Sequence, residues 1–160
     1  MSEYLSELQE SARQVVEGAG TPAYEDTTWP LIVELGWLLT TVPEELDGLG
    51  LGVREACALH TELGKGLSQA PFMPAMLAID ALCGSDLEGK ADWLGRFTMG
   101  ETVTTSLVEP DVSRAGQTLS GIAAAVQSAD KASHVLVWTT AEDCVALVDL
   151  QASGVELIER

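Results

Sequence analysis

Positive charge is what this chain has least of. Its 160 residues hold 8 Lys and Arg against 25 Asp and Glu, for a formal net charge of −17. The cations, at positions 13, 54, 65, 90, 96, 114, 131 and 160, stand singly. No basic stripe exists for a phosphate backbone to follow, so nucleic-acid binding is not expected. The acidity reads chiefly as a solubility feature, with an electrostatically chosen basic partner as the lesser reading. Cysteine is equally scarce. Cys57, Cys83 and Cys144 are odd in number and far apart, which argues for reduced cytoplasmic thiols rather than a disulfide framework. No Cys or His pair has metal-ligand spacing, and no metal site is expected. Long apolar runs are missing too: none approaches the roughly 18 to 20 residues that a bilayer requires, so no membrane span is expected. The opening MSEYLSELQE is acidic and amphipathic, unlike a signal peptide.

Against these absences stands a 46% apolar content, enough for a chain of this length to bury roughly 70% of its unfolded surface. Leu5, Leu8, Ala12 and Val15 or Val16 recur at three- and four-residue steps, predicting a helix over 3–17 that ends in Gly18-Ala19-Gly20-Thr21-Pro22. Pro30 suits the first turn of a short second helix, and Gly36 its left-handed C-terminal position. Val53, Ala56, Cys57, His60, Leu63 and Leu67 predict a third helix. Residues 72–83, FMPAMLAIDALC, predict a fourth that starts properly at Pro74. Ser85-Asp86-Leu87-Glu88 reads as a capping box opening a fifth helix, with Leu87, Trp93, Leu94 and Phe97 on or beside one face and Gly100 at its end.

The segment GLGLGV at 48–53 invites a phosphate-cradle reading. A P-loop needs four residues between its glycines followed by Gly-Lys-Ser/Thr, and a dinucleotide fingerprint needs G-x-G-x-x-G between a strand and a helix. This segment has neither spacing. Its glycines read instead as a sharp corner with close backbone approach, Leu49 and Leu51 tucked inward.

After Gly100 the period changes. TVTTSLV, AAAVQ, HVLVWTT and CVALVDL are short Val-, Thr- and apolar-rich runs, separated by Pro110, Gly121, Lys131, Glu142-Asp143 and the stretch 152–154. They predict antiparallel strands joined by turns. The fold class is therefore α+β: an all-helical bundle over 1–100, then a small antiparallel β domain over 101–160.

Candidate reactive groups are few. Glu109 at a strand end before proline is more often solvated than functional. His60, within an apolar helical stripe, and His134, starting a strand, read as packed structural histidines. Glu44, Glu45 and Asp47 lack the regularity of a calcium loop. Ser68, Ser85 and Ser106 have no glycine elbow. Phe72, Met73, Met76 and Leu77 form a Met and Phe stripe whose commonest role is core.

Taken in order, ELGW at 34–37, VPEELDGLGLG at 42–52, TELGKG at 61–66, MGE at 99–101 and VEP at 108–110 resemble the front portion of a flavin-dependent acyl-CoA dehydrogenase. The resemblance implies an N-terminal helical domain and a middle β domain, without the C-terminal four-helix domain within these 160 residues. In the family that last domain carries the catalytic carboxylate, so no catalytic residue is assigned here. The resemblance places Thr105, Leu107 and Val108 along the FAD. Val108 replaces a threonine, and Ala125 and Gln127 stand where the family brings a tryptophan and a threonine to the ring. FAD is thus expected to be held mainly by another chain or by sequence outside this one, and the chain alone to be inactive. The helices around 70–83 border the acyl cavity in the family, making Phe72, Met73, Met76 and Leu77 the expected substrate-cavity residues. The implied activity is α,β-dehydrogenation of an acyl-CoA substrate, with homo- or hetero-oligomerisation with another acyl-CoA dehydrogenase chain. Bacterial members acting on steroid side-chain thioesters include heterotetramers in which one subunit type has lost its flavin contacts, and the substitutions at 108, 125 and 127 are similar in kind. A non-enzymatic assembly or binding module derived from the same scaffold is the alternative, and a fragment with exposed apolar faces a third reading.

Overall fold

A computed structural model describes residues 3–140 and 144–158. Among them are helices α1 (Glu3–Ala19), α2 (Glu25–Glu34), α3 (Val53–Lys65), α4 (Phe72–Cys83) and α5 (Lys90–Thr98), with 3-10 turns at Trp37–Leu39 and Glu44–Leu46. Strands β1 (Val103–Thr105), β2 (Asp111–Ala115), β3 (Thr118–Ile122), β4 (His134–Trp138) and β5 (Val145–Asp149) follow. Helices then strands is the expected order, and none of the described helices is long and apolar enough to cross a membrane.

The stripe of α1 buries Leu5, Ala12 and Val16, and α1 lies along α3. A side chain at Gly66, just past α3, would collide with Val16, so glycine sets how closely the two approach. Helix α2 begins at Glu25, which leaves Pro30 in its interior rather than in the first turn. Glu25 and Asp26 favour the earlier start at the positive end of the helix dipole, and Pro30 and Asp26 are both exposed, so the carbonyl Pro30 cannot serve can meet water. Gly36 takes the expected left-handed conformation, φ 68.

The corner at 48–52 is a stitched turn. Gly48, Leu49, Gly50 and Leu51 donate to the carbonyls of Pro43, Leu39, Val42 and Thr40. A Cβ at Gly48 would strike the Val42 carbonyl, and Gly50 has φ +59. Gly52 caps α3, its amide bonded to Glu55 Oε2 at 3.1 Å. Leu49, however, is exposed and Leu51 only half-buried, because the turn's amides, rather than its side chains, face the chain beneath.

Three helix details differ from expectation. The buried stripe of α3 is Ala56, Leu59 and Leu63, while Cys57 and, beyond the helix end, Leu67 are exposed. Helix α4 begins at Phe72, with Pro74 in the first turn where no N–H is needed. The capping box does not form: Ser85 Oγ donates to the Leu82 carbonyl and accepts from the Leu87 amide, finishing α4. Helix α5 starts later, behind Gly89 at φ 75.

The larger sheet has order β1-β4-β5. β4 and β5 are antiparallel, but β1 runs parallel to β4, with Val103 opposite His134 and Thr105 opposite Leu136. The expectation of antiparallel strands throughout is corrected here. The long excursion between β1 and β4 brings the chain back to its starting end, as a parallel pair requires. That excursion contains a hairpin, β2 with β3, unforeseen from the sequence. AAAVQ is not a strand: only Val126 makes an isolated bridge, to Ser106, and Ala125 is left-handed at φ 52. The turn expected at Glu142-Asp143 lies outside the described residues.

Two apolar clusters organise the packing. The larger gathers Ile32, Trp37, Leu59, Phe72, Ile79 and Phe97 with Val103 and Leu136 of the sheet. Burying each such side chain contributes about 1.5–3 kcal/mol. The smaller joins Val112 of the hairpin to Val135 and Val137. β4 therefore alternates, His134 and Leu136 toward the helices and Val135 and Val137 toward the hairpin, with the two-residue period of a strand.

Candidate functional site

The end of β1 and the loop 123–127 form one surface. Thr104 Oγ1 donates to the Gln127 carbonyl at 2.7 Å. Thr105 Oγ1 donates across the sheet to the Leu136 carbonyl at 2.9 Å. Ser106 Oγ reaches the carbonyls of Val108 at 2.6 Å and Ala124 at 2.7 Å, and the Leu107 amide bonds the Ala125 carbonyl at 3.3 Å. Two hydroxyls, Thr104 and Ser106, thus clamp the loop onto the strand, and the one between them, Thr105, ties the strand to β4. Outward stand Leu107, 44% exposed, and Val108, 48% exposed, flanked by exposed Ala124, Ala125 and Gln127.

Of the residues singled out by sequence, Leu107 and Val108 lie on this shelf and Thr105 is fully buried beneath it. Helix α4 packs against β1, but its four candidates divide. Phe72 and Met76 are sunk in the larger core, whereas Met73 and Leu77, one turn apart, are 45% and 49% exposed. Glu109 is exposed.

The most polar assembly joins α5 to β4, and sequence reasoning did not find it. Arg96 grips Glu101 through Nε and Nη2, both at 2.7 Å, and its guanidinium stacks 4.3 Å from the Trp93 ring centroid. Ser133 Oγ donates to Glu101 Oε1 at 2.6 Å. His134 lies edge-on to Trp93, 4.8 Å away, with Nδ1 2.9 Å from Ser133 Oγ. The hydrogen bond from Arg96 is the main force holding the Glu101 carboxyl below its ordinary range. The available signal was an Arg in the last turn of a helix with a Glu just past its end. The assembly contains a serine, a histidine and a carboxylate, yet it is not arranged for nucleophilic catalysis. The carboxylate lies on the same Nδ1 side as the serine, 3.5 Å away, rather than orienting the opposite ring nitrogen.

His60 packs on Phe72 with ring centroids 4.7 Å apart, and burial pushes its pKa down. Glu62, also missed, is buried on α3 and paired with Lys65 at 2.7 Å and Arg13 at 3.9 Å. Among the described residues no three His, Cys, Asp or Glu side chains are grouped to hold a metal.

A helical layer feeding a small mixed sheet, with an apolar shelf where the first strand ends, defines an acyl-CoA dehydrogenase scaffold. Residues 2–101 match the family described as acyl-CoA dehydrogenase, N-terminal domain, and the chain belongs to the acyl-CoA dehydrogenase family. It is similar to the acyl-CoA dehydrogenase FadE28 of Mycobacterium tuberculosis, 31% identical over 157 residues, covering 91% of this chain and 46% of that protein. It is also similar to IpdE2 of the same organism, 29% identical over 94 residues, 58% of this chain and 29% of that one. The chain spans about half or less of these curated relatives. Among solved structures, a variant of the Tcur3481-Tcur3483 steroid acyl-CoA dehydrogenase superimposes with TM-score 0.81 at 28% identity, covering 95% of this chain and 49% of that one. The ChsE4-ChsE5 complex from M. tuberculosis shares the fold, with TM-score 0.79 at 21% identity, covering 96% and 49%.

The family generally binds FAD. A site made by this chain's shelf alone does not fit that group. The hydroxyl protons of Thr105 and Ser106 are already given to carbonyls. Neither 105–108 nor 123–127 offers an aromatic ring to stack on.

Proposed function

We propose that this chain is a scaffold portion of an acyl-CoA dehydrogenase assembly catalysing α,β-dehydrogenation of an acyl-CoA thioester. Residues 1–100 serve as the helical domain and 101–160 as part of the middle β domain. The catalytic base and most FAD contacts come from another chain or from sequence outside these 160 residues. The observation that carries the reading is the shelf at the end of β1: its hydroxyls are turned inward as a structural clamp, and Leu107 and Val108 are left to touch a ring that other groups hold. Thr105 supports them from beneath. On α4, Met73 and Leu77 supply apolar cavity wall, backed by Phe72 and Met76.

Two of the similar structures are two-component, the Tcur3481-Tcur3483 steroid enzyme and the ChsE4-ChsE5 complex. Their pairing supports a hetero-oligomer, and the steroid enzyme supports a bulky, steroid-type thioester for this chain. Free Cys57, Cys83 and Cys144 suit a reducing cytoplasm.

The test is purification of the chain with and without a companion acyl-CoA dehydrogenase subunit. The pair is expected to be yellow, with flavin absorbance, and to reduce an electron acceptor when given acyl-CoA; the chain alone is expected to be colourless. A chain that binds stoichiometric FAD unaided overturns the division of labour. A colourless, stable complex that ignores acyl-CoA supports a non-enzymatic assembly module instead.

A further inference from the structure

The chain has three lysines, and their amino groups are held in two different ways. Lys65 meets Glu62 at 2.7 Å, and Lys131 meets Glu25 at 3.0 Å. The hydrogen bond to Glu25 is the main force raising the Lys131 pKa. A carboxylate partner of this kind keeps an amine protonated. Lys90 has no ion pair to a carboxylate among the described residues. It stands half-buried at the start of α5, and its Nζ donates to two main-chain oxygens, those of Cys83 at 2.9 Å and Ser85 at 2.6 Å. These carbonyls flank Gly84, the residue that ends α4. The amine therefore caps the negative end of that helix.

Two carbonyl acceptors suit a neutral amine as well as an ammonium. A neutral amine has two N–H bonds, one for each oxygen, and its lone pair is left pointing away from both. The ion pairs of Lys65 and Lys131 have no such neutral counterpart, since deprotonation removes the charge that holds them.

We infer that Lys90 is a site of Nε-acylation by acyl thioesters. The Nζ lone pair adds to the thioester carbonyl. An N–C bond forms as the C–S bond breaks, and the thiolate leaves and takes up the proton that the nitrogen gives up. The product amide keeps one N–H and no charge, so it serves one of the two carbonyls and no longer offsets the negative end of α4. Acylation thereby loosens the turn 84–89 that joins α4 to α5. Only the choice of donor rests on the acyl-CoA reading.

The experiment incubates the full chain with acetyl-CoA at mildly alkaline pH and follows acetyl groups on Lys65, Lys90 and Lys131 by peptide mass spectrometry. Lys90 is expected to fill first, about tenfold faster than either of the others. In urea, where the folded contacts are gone, the three are expected to react alike. Once Lys90 is filled, the thermal midpoint of the chain should fall by about 3 °C or more. Lys90→Arg keeps a cation over the same carbonyls and should hold its midpoint through the same incubation. Equal filling of the three lysines in the folded chain overturns the proposal, as does no filling of Lys90 at all. So does a preference for Lys90 that persists in urea, which would make it a property of the local sequence. An equal fall in the midpoint of Lys90→Arg also overturns it, assigning the loss to the other lysines. The readout needs neither flavin nor turnover, so a chain that fails as part of a dehydrogenase can still pass it.

Discussion

Helices α3 to α5 and the hairpin β2–β3 are held by opposite means. The helices sink Leu59, Leu63, Phe72, Ile79, Leu82, Leu94 and Phe97 into one apolar cluster that reaches Val103 and Leu136 of the sheet. The hairpin buries Val112 alone and rests half-buried Leu119 on the far face of β4; its backbone ladder does most of the holding. The difference teaches that stability belongs to the helical layer together with the two strands sharing its core, and that the hairpin is an attachment. The strand region is also where sequence expectations failed most, since its fold rests on pairings between distant segments.

The sharpest way to break this comparison is to cut into each core. Trp37→Ala is expected to cost about 4 kcal/mol, read by urea denaturation, and Val112→Ala about 1 kcal/mol. Equal losses would mean that the hairpin is integral rather than attached. Next come the close approaches. Gly48→Ala drives a methyl into the Val42 carbonyl and is expected to cost about 1–3 kcal/mol, whereas Ala at exposed Gly116, where φ is +62 with open space around it, should cost only the local strain, about 1 kcal/mol.

Acid sharpens the comparison further. The folded pKa of His60 is lowered by burial from 6.5, so folding binds fewer protons there. Its contribution is complete above about pH 6.5 and is lost as pH falls below it. Glu101, lowered from 4.5 chiefly by Arg96, contributes fully above about pH 4.5, and that part is lost as pH falls through the folded value. Stability is expected to decline in two steps on acidification. His60→Gln should remove the upper step and Glu101→Gln the lower, both followed by denaturation midpoints across pH. The smallest effect is expected from Gly18→Ala, an exposed helical glycine with nothing near its missing Cβ, which should gain about 0.5 kcal/mol from helix propensity.

Five helices were legible because their signals are local: apolar steps of three and four, Gly36 at a left-handed cap, Gly48 and Gly50 in a tight corner. Errors there were shifts of a few residues at helix ends, where Pro30 and Ser85 carry signals that serve either of two neighbouring elements. The candidate site was only partly legible. Leu107 and Val108 emerged on a surface, but Phe72 and Met76 differ from Met73 and Leu77 only in which side of α4 meets the core. Glu101, Ser133 and His134 were missed as a unit because more than thirty residues separate the carboxylate from the pair, and no local pattern spans that distance.

By itself the sequence determined an acidic chain of helices followed by short strands, because helical periodicity, turn glycines and net charge are properties of neighbouring residues. Only the tertiary structure decided that β1 runs parallel to β4, that residues 111–122 form a hairpin, and that the Thr105 and Ser106 hydroxyls turn inward. Each of these depends on which distant carbonyl or strand stands opposite, and that is settled when the two apolar clusters pack and every buried polar group must find a partner.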